Sequence, residues 1–309
     1  MNRQEEQGLQ EAQAEFMKLV NSPNQEQSST PITPTPKTNE KITHEVITPE
    51  PEAAPQIKAG LTKEYSHHSF ADFCKAPAPI RYLIKGYIQE QALHMIFGEP
   101  GSGKSFIAID MAASIACPDI TSWHDKTLNH KPVIYLAGEG AAGLKKRCAG
   151  WAAKNGVDPE HVQLDFIDEV FPLDGESEEY SIENTIANIR ALQPDPGVIF
   201  IDTLHTFMNG DENKAQDVAK MLMVCRKLIR ELKCAVVLIH HVGVSKEAKN
   251  RARGSSSLKG AMDIECQVTK SGNKVTLNQT KNKEAQAEKS LAFTLEEVII
   301  PLYDNFKDW

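Results

Sequence analysis

Between the apolar run Leu93–Phe97 and an amphipathic stretch that begins at Lys104 stands Gly98–Glu99–Pro100–Gly101–Ser102–Gly103–Lys104–Ser105, which fits the pattern GxxxxGK[ST]. A strand, a glycine loop and a helix in that order restrict the fold more than any other feature of the 309 residues. Glycines let backbone wrap closely around phosphate, and the helix N-terminus adds amide donors and a positive dipole end. In this arrangement Lys104 reaches the β and γ phosphates of a nucleoside triphosphate, and Ser105 ligates Mg²⁺. No base-reading motif accompanies the loop, so the phosphates are better specified than the nucleobase.

From about residue 80 onward, short apolar strands alternate with amphipathic helices, the pattern of a parallel sheet covered on both faces. The expected strands are Leu93–Phe97, Pro132–Ala137, Val162–Phe166, Val198–Asp202 and Ala235–His240. The expected helices span 104–117, 141–154, 181–192 and 214–233; the last places Met221, Leu222, Cys225, Leu228, Ile229 and Leu232 on one stripe. Ile264–Thr269 and Lys274–Asn278 alternate around Ser271–Gly272–Asn273 as a hairpin, with further strands near 291–294 and 297–301. The stretch Asp158 to Glu183 carries ten acids and no Lys or Arg, and reads as a solvated excursion rather than a metal site.

Ahead of this core the text changes. Seven of the 17 prolines fall between Pro23 and Pro55 among Ser, Thr, Gln and Glu, so 21–60 reads as a disordered linker unable to offset its chain entropy by burial. Residues 1–20 carry a short stripe, Leu9, Ala12, Phe16 and Leu19, that reads as a frayed helical tail, with a partner-docking peptide as the alternative. Residues 61–79 lead into the core at 80–309. The six cysteines form no CxxC pair, which disfavours a zinc site or a disulfide framework. The start MNRQEEQGLQ lacks a signal-peptide layout, and no apolar run approaches the roughly 18 residues of a membrane helix, so a cytoplasmic protein without membrane contact is expected.

Three further groups belong with the loop. Asp202 closes the apolar strand VIFID and suits the metal-ordering acid. Glu139, just past the strand ending YLA, suits the base that takes a proton from an attacking water, with a dipole-favoured helix N-terminal acid as the alternative. His240 and His241 end the strand Ala235–Ile239 at the edge that faces phosphate; either can sense the γ-phosphate. A net charge of −8 argues against coating nucleic acid through bulk positive charge, yet 245–289 carries ten basic and five acidic residues. Part of that excess, Lys246, Lys249, Arg251 and Arg253, lies in GVSKEAKNRARGSSS, which has no apolar periodicity and reads as a loop.

The order of these parts, with LAGEG after the second strand, IDTLHTF, a strand ending HH, and RGSSSLKGAMD, resembles the RecA-like ATPases, and in particular the RepA-like hexameric replicative helicases of plasmids and phages. The resemblance covers about 80–305. It implies an α/β RecA-like P-loop core with a mostly parallel central sheet covered by helices, and a C-terminal part rich in β-hairpin. It also implies ATP with Mg²⁺ between subunits of a homo-oligomeric, hexameric ring. Lys104, Ser105, Glu139, Asp202 and a histidine then come from one subunit and a basic finger from the next.

This sequence departs from the family at the finger. Asp263 stands where the RepA-like arginine follows the RGSS element, which leaves Arg253, Lys259, and the pair Lys281 and Lys283 as candidates. By the same resemblance the loop at 243–257 lines a channel for single-stranded DNA, where phosphate contacts dominate affinity and a ring multiplies a few charges. His205–Lys214 is a second, more acidic loop that the channel could meet. The functional expectation is an ATP-hydrolysing motor on single-stranded DNA, a replicative helicase. The alternative is an ATP-switched loading module or recombination mediator that does not unwind, or a primase partner acting through the N-terminal tail. Small-molecule phosphotransfer is the weakest reading, because no arginine-rich lid or acceptor pocket is visible.

Overall fold

The computed structural model describes residues 68–75, 79–138, 140–175, 177, 180–241 and 256–299. The expectations for 1–20, 21–60 and 61–67 lie outside them, as do Glu139 and the loop residues Lys246, Lys249, Arg251 and Arg253.

The core is one eight-stranded sheet. In chain order its elements are β1 (Leu93–Gly98), α1 (Lys104–Ala116), β2 (Val133–Ala137), α2 (Ala141–Asn155), β3 (Leu164–Ile167), α3 (Ile182–Leu192), β4 (Val198–Asp202), α4 (Ala215–Leu232), β5 (Ala235–His241), α5 (Ser256–Ala261), β6 (Ile264–Ser271), β7 (Lys274–Asn282) and β8 (Leu291–Thr294). The strand order is β8-β7-β6-β1-β5-β4-β2-β3. Strands β6 through β3 run parallel, and β7 and β8 add antiparallel pairing at one side.

The near-continuous apolar runs follow from burial on both faces. Alternate side chains supply two cores: Ile96, Val133, Tyr135, Val198, Phe200, Val237 and Ile239 face one cluster, shared with Ile107, Met111 and Ile115 of α1 and Leu144 of α2. Their neighbours Met95, Phe97, Ile134, Leu136, Ile199, Ile201, Val236 and Leu238 face the other, shared with Ile186 and Ile189 of α3 and the Met221–Leu222–Cys225–Leu228–Leu232 stripe of α4. The period of two on the strands thus meets the helical stripe on each side. Helix α3 starts at Ser181, whose hydroxyl accepts from the Asn184 N–H. Helix α2 ends at Gly156 in the left-handed region, φ +64°.

Several expectations need correction. The hairpin turn is the two residues Gly272–Asn273, with Ser271 paired to Lys274, and β7 runs on to Asn282. No strand forms over 297–299: once β8 ends, Leu295 N–H bonds Asn273 O, Glu296 pairs with Lys154, and Ile299 is 94% exposed. The acidic stretch is not uniformly solvated, because Leu173 is fully buried and Asp174, also buried, accepts the Asn209 N–H at 2.6 Å. Burial raises the Asp174 pKa, opposed by that N–H bond. No group of three or more His, Cys, Asp or Glu able to hold a metal occurs among the described residues. Two small ribbons that the sequence does not announce, Tyr82–Ile84 with Ile88–Gln89 and Ser122–Trp123 with Lys126–Thr127, bring Tyr87 and Trp123 into the α1-side core. The six cysteines are free, and burial pushes the thiols of Cys225, Cys234 and Cys266 up to about 12. Among the described residues no helix is long and apolar enough to cross a membrane.

Candidate functional site

Strand β1 ends in the middle of the sheet, where Gly98 is in register with His241 of β5 on one side and Val268 of β6 on the other. That crowding dictates glycine: a Cβ at Gly98 would lie 2.3 Å from Val268 O and 2.8 Å from Ser102 Oγ. The loop then turns back on itself, with Ser102 N–H donating to Glu99 O at 3.1 Å. It enters α1 through Gly103 at φ +98°, a left-handed conformation that favours glycine, and no side chain caps the helix there. Lys104, only 6% exposed, donates from Nζ to Gly98 O (3.0 Å) and Glu99 O (2.9 Å), and lies 3.4 Å from His241 Nδ1. Ser105, next along, is half-buried in the first turn, while Glu99, Pro100 and Gly101 are exposed.

Asp202 stands at the end of β4, in register with Ala137 of β2 and Ile239 of β5, and is buried. Tyr135 Oη donates to Asp202 Oδ2 at 2.7 Å, and the phenol ring stacks on Phe200 at 5.7 Å and 8°. Burial first, then the Asp202 charge, push the Tyr135 pKa well above the ordinary value, against an opposing effect of Arg147. Tyr135 therefore stays protonated and remains a donor to the carboxylate. Arg147 on α2 lies over the Phe106 ring, in the first turn of α1, at 4.9 Å, and its charge also acts on the Tyr135 phenol. Sequence reasoning missed both Tyr135 and Arg147. Tyr135 is one more apolar letter in PVIYLA, and Arg147 sits in a Lys-Lys-Arg run that reads as a solvated helix face.

The two histidines part company at the strand end. His241 is half-buried and meets Lys104, whereas His240 is fully buried with Nδ1 3.9 Å from Glu212 Oε2. Successive residues of a strand point to opposite faces, so only His241 is brought to the phosphate loop.

The described finger candidates sit around α5. Lys281 Nζ donates to Lys259 O (2.7 Å) and Gly260 O (3.0 Å), and Lys283 Nζ to Asp263 Oδ1 (2.8 Å) and Ala261 O (3.4 Å). Lys259 O, Gly260 O and Ala261 O are the last carbonyls of α5, which a cation satisfies well. Desolvation lowers the Lys281 pKa, with Lys283 nearby adding to the effect. Lys259 Nζ is 3.2 Å from the buried Glu265. Asp263, the acid in the arginine's place, also accepts the Leu93 N–H at 2.8 Å. Burial works to raise its pKa but is outweighed by Lys283 and that N–H, which leave it lowered.

Residues 62–247 match the family model described as AAA domain. No curated protein matches the chain. Among solved structures, one ATPase domain superposes with a TM-score of 0.51 at 15% identity, covering 66% of this chain and 81% of that one. The likeness extends to the fold: a RecA-like P-loop core with its loop at the centre of the strand ends.

Proposed function

The chain belongs to the AAA-domain family, and from that membership and the strand-end geometry we propose that it is an ATP-hydrolysing motor acting on single-stranded DNA, a replicative helicase of plasmid or phage type. The observation that carries this reading is the convergence of Lys104, His241 and the Tyr135–Asp202 pair at the ends of adjacent strands. The residues suit Mg²⁺ with a nucleoside triphosphate: a serine hydroxyl and a buried carboxylate are hard oxygen donors, and the tight cradle at Gly98 leads to helix N–H groups. Bound there, the metal neutralises charge on the phosphates.

In this mechanism Lys104 exchanges its two loop carbonyls for phosphate oxygens, and Ser105 and Asp202 hold the metal. Tyr135 keeps Asp202 in one orientation, and Arg147 adds positive charge that reaches Tyr135. Glu139 takes the proton of the attacking water, and His241 reports the γ-phosphate to β5. The loop carrying Lys246, Lys249, Arg251 and Arg253 contacts the DNA backbone, and six copies of the chain form the ring. DNA-stimulated ATP hydrolysis and strand displacement by wild type and Lys104→Ala test the assignment. Loss of both in the variant is expected; normal DNA-dependent hydrolysis in Lys104→Ala would remove it.

One observation favours a second reading, an ATP-switched loading module without unwinding. With Asp263 in the arginine's place, Lys281 and Lys283 are engaged on α5 of their own chain. Hydrolysis without strand displacement, a mass below that of a hexamer with ATP and DNA, and capture of a replication partner such as a primase through residues 1–60 would decide for it.

A further inference from the structure

Past β8 the chain crosses onto helix α2 and follows it towards the helix N-terminal end. Glu296 pairs with Lys154, and Val298 stands over Gly150, where an added Cβ would lie 4.0 Å from the valine Cβ. Glu297 and Ile299 are turned to solvent, Ile299 with 94% of its surface exposed. This is the alternation of an extended chain, in which every second side chain faces the surface beneath. The step fits too: two extended residues span roughly 6–7 Å, and the four helical residues from Lys154 back to Gly150 roughly 6 Å. Continued at that pace, Ile300 comes opposite Lys146 and Arg147, and Leu302 opposite Ala142 and Gly143. That end of α2 is incompletely covered. Phe106, next to Ser105 in the first turn of α1, is 44% exposed, with the Arg147 guanidinium 4.9 Å from its ring centre. Among the described residues no acid pairs with Lys145, Lys146 or Arg147.

We propose that residues 300–304 continue this path and dock on the N-terminal half of α2 of their own chain, Ile300 and Leu302 covering Phe106 and Arg147, as a strap that competes with nucleotide at Lys104 and Ser105. The inference rests on the reading of that loop as the nucleotide site and adds a regulation to it. The sequence IPLYD suits the place: Ile300 and Leu302 fall in the inward phase, and Pro301 favours extended backbone for itself and the residue before it. Asp304, in the same phase, brings a carboxylate towards the Lys-Lys-Arg run, as Glu296 does to Lys154. Continuity selects the same chain as occupant. Val298 already holds the segment about one helical turn from Arg147, and so short a tether gives an effective concentration in the millimolar range. A chain laid across the first turn of α1 takes up space that phosphates need on their way to Lys104 and Ser105. A strap docked for about nine-tenths of the time weakens apparent nucleotide affinity about tenfold.

The test has two arms, both on the full chain. In the first, the apolar photo-crosslinker p-benzoylphenylalanine replaces Leu302, and a mixture of ¹⁵N-labelled and unlabelled protein is irradiated and digested. Cross-links to peptides holding 141–147 or Phe106, within one isotope, are expected. Cross-links that join the two isotopes give the α2 surface to a second copy and overturn same-chain docking; cross-links elsewhere, or none, overturn the path. In the second arm a fluorescent ATP analogue is titrated with Mg²⁺ into wild type, Leu302→Asp and Asp304→Asn. Binding about tenfold tighter in Leu302→Asp, and about twofold to fivefold tighter in Asp304→Asn, is expected. Asp304→Asn is isosteric and decides the matter if Leu302→Asp does not fold. Affinity unchanged in both variants overturns the competition. Failure of wild type and variants alike to bind the analogue overturns the nucleotide reading itself, while the cross-link still reports on the docking.

Discussion

Tyr135→Phe deletes one oxygen atom and keeps the ring on Phe200, so it isolates the bond that orients Asp202. That bond is short at 2.7 Å, buried, and made to a carboxylate, the class worth about 1.5–3 kcal/mol net. A domain of this size shifts by about 2–4 °C per kcal/mol, which gives an expected drop in melting temperature of about 3–12 °C. Scanning calorimetry of wild type and variant at pH 7.5, without nucleotide, measures it. The second readout is functional: removing a neighbour that orients a metal-ligating side chain typically costs about 10–100-fold in metal affinity. The Mg²⁺ midpoint for binding a fluorescent ATP analogue is accordingly expected to rise about tenfold, with little change when Mg²⁺ saturates. A melting temperature within about 1 °C of wild type together with an unchanged Mg²⁺ midpoint would refute the reasoning.

Two further outcomes are expected. His94, buried in β1 with Nε2 on Gln89 O at 2.9 Å, has its pKa pushed down to about 4 by burial. The unfolded chain then binds the proton first as pH falls below 6.5, and stability on the order of 3 kcal/mol is lost between pH 6.5 and 4. Urea melts across that window check it, and His94→Gln should flatten the slope. Gly98→Ala drives a methyl group to 2.3 Å from the Val268 carbonyl, so the ends of β1 and β6 must separate. A stability loss of about 1–3 kcal/mol is expected in urea melts, with nucleotide affinity lost as well; an alanine variant that binds nucleotide normally would contradict the crowding at that strand end.

Much of the core was legible because a sheet buried on both faces leaves little choice of residue. PVIYLA, VIFID and AVVLIHH declare themselves as apolar runs, and the α4 stripe declares its buried face. Strand β5 nevertheless runs to His241, past the apolar run, because parallel pairing with Gly98 continues regardless of side-chain polarity. The ribbons at Tyr82–Gln89 and Ser122–Thr127 left no readable period, since two or three residues cannot show one. Around the phosphate loop, Lys104 was legible from the glycine pattern before its helix, and Asp202 and the end of β5 from their place after apolar runs; that His241 and not His240 meets Lys104 was not. Tyr135 and Arg147 were not, because each acquires its meaning from a neighbour tens of residues away, a relation that spacing along one segment does not encode. Lys281 and Lys283 show the converse: they read as candidates for a finger, and in the structure they donate to the last carbonyls of α5, Lys283 also to the Asp263 carboxylate.

The position of β1 has a consequence in time. This strand, with the phosphate loop behind it, is the first of the large sheet to be synthesised, yet it lies between β5 and β6, and its Leu93 amide is held by Asp263, 170 residues further on. At about 5–20 residues per second the ribosome needs roughly 10–35 s to supply that partner. Until β5 is complete at His241, LHMIF is an apolar segment with neither neighbour in place, while β2, β3 and β4 can already pair with one another. The nucleotide loop is thus written early and finished late, so the growing chain assembles the flank of the sheet before it has anything with which to grip a phosphate.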